Sequence, residues 1–276
     1  MLDRATSTMT AAQDGADTRD VVFRGGGFAP KAGRGASWIT FAVLLAVWQA
    51  AGSFGWINPL FLPTPVAIAK AIYSLAVSGA LWHHLSYSVM RIGLGWLIGS
   101  AAGVVVGFAI GLSGIARSIG ISVVSALFPI PKIALLPLLI LWFGIGEEPK
   151  IATIALGVFF STSISVYSGV DSVPRNLIRM AQSFNVPFPT IVRKVIWPGA
   201  LPAILAGFRI TSSVALLLVV SAEMIGAEYG IGAFVLQAGN LMQTDQLLGG
   251  VVILSLFGLV VGKLLNLLET RLLHWR

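Results

Sequence analysis

A chain of 276 residues with 56% hydrophobic and 11% charged residues and a mean hydropathy of +0.88 cannot fold as a water-soluble globule, because so few charges cannot cover that much apolar surface. The formal net charge of +7 and isoelectric point near 10.1 come from basic residues lying between apolar runs, which points to orientation in a bilayer rather than to nucleic-acid binding. There is no Cys, which excludes disulfides, thiolate metal sites and Cys nucleophiles, and the adjacent His83 and His84 lack the i, i+4 spacing of a helical metal site, so no metal is expected.

Residues 1–35 carry Asp3, Asp14, Asp17, Asp20, Arg4, Arg19, Arg24, Lys31, Arg34 and a Gly25-Gly26-Gly27 run without apolar periodicity. They read as a disordered cytoplasmic tail rather than a signal peptide, since the first apolar stretch starts late and no small-residue cleavage site follows it. Residues 36–276 read as one transmembrane domain. Six apolar runs approach the roughly 20 helical residues that span a hydrocarbon core. They cover about Ser37–Phe54, Ile92–Leu112, Ile119–Phe143, Ile151–Val170, Ile204–Ile225 and Leu247–Leu268. Lipid cannot satisfy exposed backbone groups, so the predicted fold class is an all-α integral membrane bundle of six transmembrane helices. Between the first two runs, Leu62-Pro63-Thr64-Pro65 opens a segment to Tyr87 expected to lie in the interface, with Thr64 as a helix cap and Pro65 in the first turn.

The second span carries Gly95, Gly99, Gly103, Gly107 and Gly111, a glycine on one face at every fourth residue. That spacing predicts close helix packing, with a part in gating as the alternative. In the third span Lys132 lies between Pro131 and Pro137, where broken helix geometry implies a protein-lined cavity. Lys132 either lends positive potential to an anion path, or pairs with a carbonyl or packs at the subunit interface. In the fifth span Arg209, Ser213, Leu216, Val220 and Glu223 share one face, expected to line the interior. Glu223 there serves either a gate or outer contact, or the turn from Ala222 to Gly230.

Arg117, Arg175, Arg179, Arg193, Lys194, Arg271 and Arg276 fall on one side with the basic tail, leaving mainly Lys70 and Lys150 on the other. Both termini are therefore predicted to be cytoplasmic. The stretch from Asp171 to Pro202 is the longest polar loop and falls on that same side. Leu177, Ile178, Ala181 and Phe184 predict an amphipathic helix over Arg175–Phe184, closed by Asn185 in the left-handed conformation and stopped by Pro187 and Pro189. A second short helix is expected over Thr190–Ile196. Gly258 to Lys263 has three residues between its glycines and Leu264 after the lysine, so it is not a phosphate loop, and Lys263 is expected to snorkel to the interface.

Val173-Pro174-Arg175, Ala181-Gln182-Ser183-Phe184-Asn185 and Ile196 to Ile204 resemble the cytoplasmic signature loop of binding-protein-dependent ABC importer permeases. Leu62 to Pro65, Ser88 to Gly95, Pro129 to Lys132 with Leu136-Pro137, Trp142 to Gly146, and Ala222 to Gly226 are similar to the nitrate, sulfonate, taurine and bicarbonate branch of that family. The resemblance implies a type I importer permease fold in the bacterial inner membrane, with Arg175, Arg179, Ala181, Gln182, Ser183, Phe184 and Asn185 coupling it to an ATPase. The implied substrate is a small anion such as a sulfonate, nitrate, bicarbonate or aromatic acid, delivered by a periplasmic binding protein. Lys132, Arg209, Ser213 and Glu223 are the candidate path residues. The implied partners are a pair of ATPase subunits, a second permease copy and membrane lipid. ATP and Mg would sit on the ATPase, with no cofactor in this chain and no enzymatic activity of its own. Two departures stand out: Arg179 replaces the family's usual Glu, and Asn185 replaces its Gly. Arg179 predicts an acidic residue opposite it on the ATPase, or else faces solvent or headgroups. The competing reading is a secondary transporter or channel for small anions, which would need coupling carboxylates in its spans, where Glu223 alone qualifies.

Overall fold

The computed structural model describes residues 36–273. The tail expected over residues 1–35 lies outside the described residues. Contacts divide the chain into units 1–47 and 48–276. In the first unit the described part is the opening of helix α1 (Ala36–Ser53), with Trp38, Ile39, Phe41 and Leu44 exposed. Its described apolar stretch, Trp38–Ser53, is shorter than the roughly 20 residues of a full crossing.

In the second unit, every regular element among the described residues is helical. Helix α2 (Pro65–Val77) starts as its residues dictate, with the Thr64 hydroxyl accepting from the Ala67 N–H at 3.3 Å and Pro65 in the first turn. Helix α3 (Ala80–Leu112) begins well before the expected Ile92. Residues 80–87, expected to lie in the interface, are therefore its first turns. Polar side chains there do not break the helix, because Ser86 donates back to the His83 carbonyl at 2.7 Å and Leu81 is buried beside Ile231 and Ile253.

The third expected span is broken. Helix α4 (Gly114–Leu127) ends before Pro129 and Pro131, a 3₁₀ turn covers Lys132–Leu135, and α5 (Leu136–Phe143) leaves at 84° to α4. Proline removes the N–H groups that would have continued one ladder. Helix α6 (Glu148–Asp171) follows.

Helices α3 and α6 meet along the glycine face in strict register. A Cβ built on Gly95, Gly103, Gly107 or Gly111 would lie only 2.6 to 2.7 Å from the Cβ of Ile154, Thr162, Val166 or Val170 respectively, and one on Gly99 would lie 2.9 Å from that of Val158. Both numbers rise together, so the helices run parallel. The chain between them must return the length of the bundle, which makes the bent α4–α5 pair one crossing.

The cytoplasmic-type loop forms helix α7 (Arg175–Ser183) and short helix α8 (Phe188–Ile191), followed by a π turn over Val192–Ile196 and helix α9 (Trp197–Gly226). The fifth span thus starts earlier than Ile204. Pro198 falls in the first turn of α9, directly after the π turn, and Pro202 is carried within the helix. Helix α9 is antiparallel to α6, as the approaches of Gly157 to Leu218 and Gly207 to Ser165 require. Helix α10 (Ile231–Asn240) is short, and α11 (Thr244–Leu272) runs back antiparallel to α9, with Gly258 near Leu216 and Glu269 on Arg209. Among the described residues four helical stretches are long and apolar enough to cross a bilayer, and the bent pair makes five.

The register gives a sharp test. Gly95→Val should cost about 1–3 kcal/mol through overpacking against Ile154. Gly93→Val, where a Cβ meets nothing within 4 Å, should leave the thermal midpoint in detergent close to wild type. Equal loss in both variants would mean that α3 and α6 do not pack in this register.

Candidate functional site

Two constellations occupy the two ends of the bundle. At the end carrying the 171–202 loop, Val173 is buried, and α7 turns Ile178 and Ala181 onto a core of Val173, Ile191 and Ile196. Asn185 has φ 55°, its N–H donates to the Gln182 carbonyl at 2.9 Å, and the Val186 N–H donates to Ala181 at 3.1 Å. Two carbonyls of the last turn are satisfied by this left-handed closure, the role the sequence suggested for Asn185.

Helix α7 has two contrasting faces. Leu177, Met180 and Phe184 form an apolar stripe that is 42%, 55% and 75% exposed. Arg175, Arg179 and Gln182 share another face and line a cavity with Arg117 and Asp171. Arg179 is therefore set away from the apolar stripe by the helical repeat. Ser183 donates to the Met180 carbonyl at 2.8 Å, a bond within the helix.

The opposite end carries a buried ionic cluster. Arg91, three turns into α3, is 1% exposed and donates to Glu223 Oε1 at 2.7 Å, to the Tyr229 carbonyl at 2.6 Å and to both carboxylate oxygens of Glu147, one at 2.8 Å. Glu223, also 1% exposed, accepts further bonds from the Ser88 hydroxyl at 2.8 Å and the Gly232 N–H at 2.8 Å. Gly230, at φ 137°, presses its α-carbon against the Glu223 carboxylate where any side chain would collide. The His84 ring accepts from the Gly230 N–H at 3.1 Å. Four elements, α3, α6, α9 and α10, are thereby tied together at that end.

The four path candidates are not brought together. Lys132 is buried, donates to the Leu127 carbonyl at 3.1 Å and to that of Phe128, and sits 4.9 Å from the Phe160 ring centroid. Its ammonium thus satisfies carbonyls freed at the α4–α5 break. Arg209 is exposed and paired with Glu269 at 2.6 Å and Asn266 at 2.8 Å. Ser213 is exposed and lines a groove of about 390 Å³ between α9 and α11, with its hydroxyl donating back to the Arg209 carbonyl at 3.5 Å. The buried face of α9 is Thr211, Ala215, Val219, Ala222 and Glu223, so Arg209 and Ser213 lie on its open side. Sequence reasoning passed over Arg91 and Glu147, because Arg91 stood just outside a span expected to start at Ile92.

Residues 99–274 match the family described as binding-protein-dependent transport system inner membrane component. The chain belongs to this family. It is 38% identical to the taurine transport system permease protein of Escherichia coli (strain K12), over 86% of this chain and 88% of that protein. It is 36% identical to the putative aliphatic sulfonates transport permease protein of Bacillus subtilis (strain 168), over 85% of each. The fold is shared with the MetNI methionine ABC transporter in an inward-facing conformation, with a TM-score of 0.58 at 22% identity over 72% of this chain and 97% of that one. An amino acid ABC transporter chain gives 0.52 at 18% identity over 78% and 99%. As an ABC permease of the sulfonate and taurine branch, the chain is a multi-pass membrane transport component of type I importer fold and is not itself the ATP-hydrolysing enzyme.

In this permease Glu223→Ala should cost about 3–5 kcal/mol by leaving the buried Arg91 short of its partner. A double Arg91→Met, Glu223→Met variant should lose less, as read by thermal unfolding in detergent. The hydrogen bond from Arg91 holds the Glu147 carboxyl below the usual carboxylate range, against the opposing effect of burial. Its contribution is full above the unfolded carboxylate pKa and fades as pH falls through the lower folded value. The wild-type advantage over Glu147→Gln should therefore be present at neutral pH and shrink towards zero in acid. An advantage that grows on acidification would contradict the pairing.

Proposed function

We propose that this permease forms, with a second copy of itself, the path through the bacterial inner membrane for a small organic anion, a sulfonate such as taurine being the first choice. The taurine and aliphatic sulfonate names of its relatives support that substrate class. Nitrate, bicarbonate and aromatic acids are the other candidates. A periplasmic binding protein would deliver substrate at the Arg91 end, and a pair of ATPases would dock at the loop end.

The observation that carries this reading is the build of α7. It is an amphipathic helix with an exposed Leu177, Met180 and Phe184 stripe, backed by a packed core and joined through the π turn to the long helix α9. That is the form of an element that converts motion of a docked soluble subunit into motion of membrane helices. Arg117, Arg175, Arg179, Arg193 and Lys194 all lie towards the α7 end, which supports placing it and both termini in the cytoplasm. The open side of α9, with Arg209 and Ser213, would face the path and the second copy. Lys132 and Glu223 would shape the path by holding the broken crossing and the outer end in place.

A strain lacking the gene should lose uptake of radiolabelled taurine or a related sulfonate, and the cloned chain should restore it. Phe184→Asp should lower uptake by at least about tenfold while the protein still reaches the membrane, because a charge in a docking pocket removes an apolar anchor. Uptake should stop on ATP depletion and survive dissipation of ion gradients. The reverse pattern would make the protein a secondary transporter.

A further inference from the structure

The cavity behind α7 has a chemistry that docking of a soluble subunit does not use. It measures about 320 Å³, and its lining brings together three arginines, Arg117, Arg175 and Arg179, with a single acidic residue, Asp171. Arg117 and Asp171 satisfy one another at 2.8 Å. Arg175 lies within charge range of Asp171 without a direct hydrogen bond, Arg179 has no hydrogen bond or ion pair among the described residues, and the two stand one turn apart on the same face, where like charges repel. The floor beneath them is apolar, with Leu112, Val170 and Ile196.

The height of the cavity is set by the fold. It lies where α3 ends at Leu112, α4 begins at Gly114 and α6 ends at Asp171, so it opens at the level where apolar helices leave the hydrocarbon. Phosphate groups of lipids occupy that level in any bilayer. Guanidinium is weakly hydrated and presents a planar fork that matches two oxygens of a phosphate. Basic pockets between transmembrane helices on the cytoplasmic side are suited to anionic headgroups. An amphiphile would also place its glycerol and upper acyl chain on the apolar floor, which a free ion would leave bare.

We propose that this cavity binds the phosphate of an anionic phospholipid, held by Arg175 and Arg179 with Arg117 at its edge. The headgroup neutralises the repelling pair and ties α7 to the ends of α4 and α6. The stiffness of α7 then depends on lipid composition. The charge at position 179 serves the membrane and not the docked subunit.

The test uses the full chain purified in a neutral maltoside detergent with its copurifying subunits. A fluorescent short-chain phosphatidylglycerol is titrated, with phosphatidylcholine and inorganic phosphate as competitors. Arg175→Gln with Arg179→Gln should weaken phosphatidylglycerol binding by roughly tenfold or more, while Arg193→Gln with Lys194→Gln, which removes as much charge outside the cavity, should change it little. Should the double variant not fold, Arg179→Gln alone should give a smaller loss in the same direction. Phosphatidylcholine should not compete. Unchanged affinity in the cavity variant, or equal loss in the control variant, would overturn the site. Displacement by millimolar inorganic phosphate would assign it to a soluble anion and refute the lipid. Dissociation of a copurifying subunit with lipid binding intact would show that the guanidiniums meet a protein carboxylate instead.

Discussion

The close approach of α3 to α6 is the constraint on which the rest of the bundle depends. Lipid tails are as apolar as leucine, so no hydrophobic gain draws these helices together, and packing and backbone proximity have to do so. Glycine at every fourth residue lets the side chains of Ile154, Val158, Thr162, Val166 and Val170 sit directly on the α3 backbone. Because the register is parallel, the chain must cross back between them, and the bent α4–α5 pair is the means. The sharp bend frees carbonyls in a place where water is scarce, and the Lys132 ammonium is positioned to satisfy two of them.

The same register brings Arg91 level with the start of α6 and so beside Glu147. Glu223 reaches the pair from α9, and Gly232 and Ser88 satisfy what remains of its carboxylate. An ion pair this deeply buried contributes little net stability compared with an apolar core, but it tolerates few alternative arrangements. It fixes which turn of α9 meets which turn of α3. One end of the bundle is thus pinned by directional bonds, while at the other end α7 rests on apolar contacts.

Much of this was readable from residue order. The glycine face, the α7 helix with its Asn185 closure, and the positions of α6 and α11 follow from local spacing and side-chain preference. What was hidden depended on partners distant in sequence. Arg91 was passed over at the mouth of a span expected to start at Ile92, because hydropathy cannot see that Glu147 and Glu223 neutralise it inside a helix. The start of α9 was placed too late because two prolines normally stop a helix, whereas here Pro198 follows directly on the π turn and Pro202 is carried inside α9. The direction of Arg179 was left open between a docked subunit and solvent or headgroups, because the helical repeat sets its face only once Ile178 and Ala181 are known to pack on the core.

The uninterrupted helical stretch from Phe188 to Gly226 covers 39 residues and joins the base of α7 to the turn that carries Glu223. At 1.5 Å per residue it is a rod about 58 Å long. Arg91 fixes one end of it, and at the other Ile191, Ile196, Ala200 and Ile204 are buried beside Val166, Val170 and Val173; a tilt of about 5° over that length corresponds to about 5 Å, close to one helical pitch. A displacement of that size needs no change in secondary structure, and it is shared with α11 through the pairing of Arg209 with Glu269.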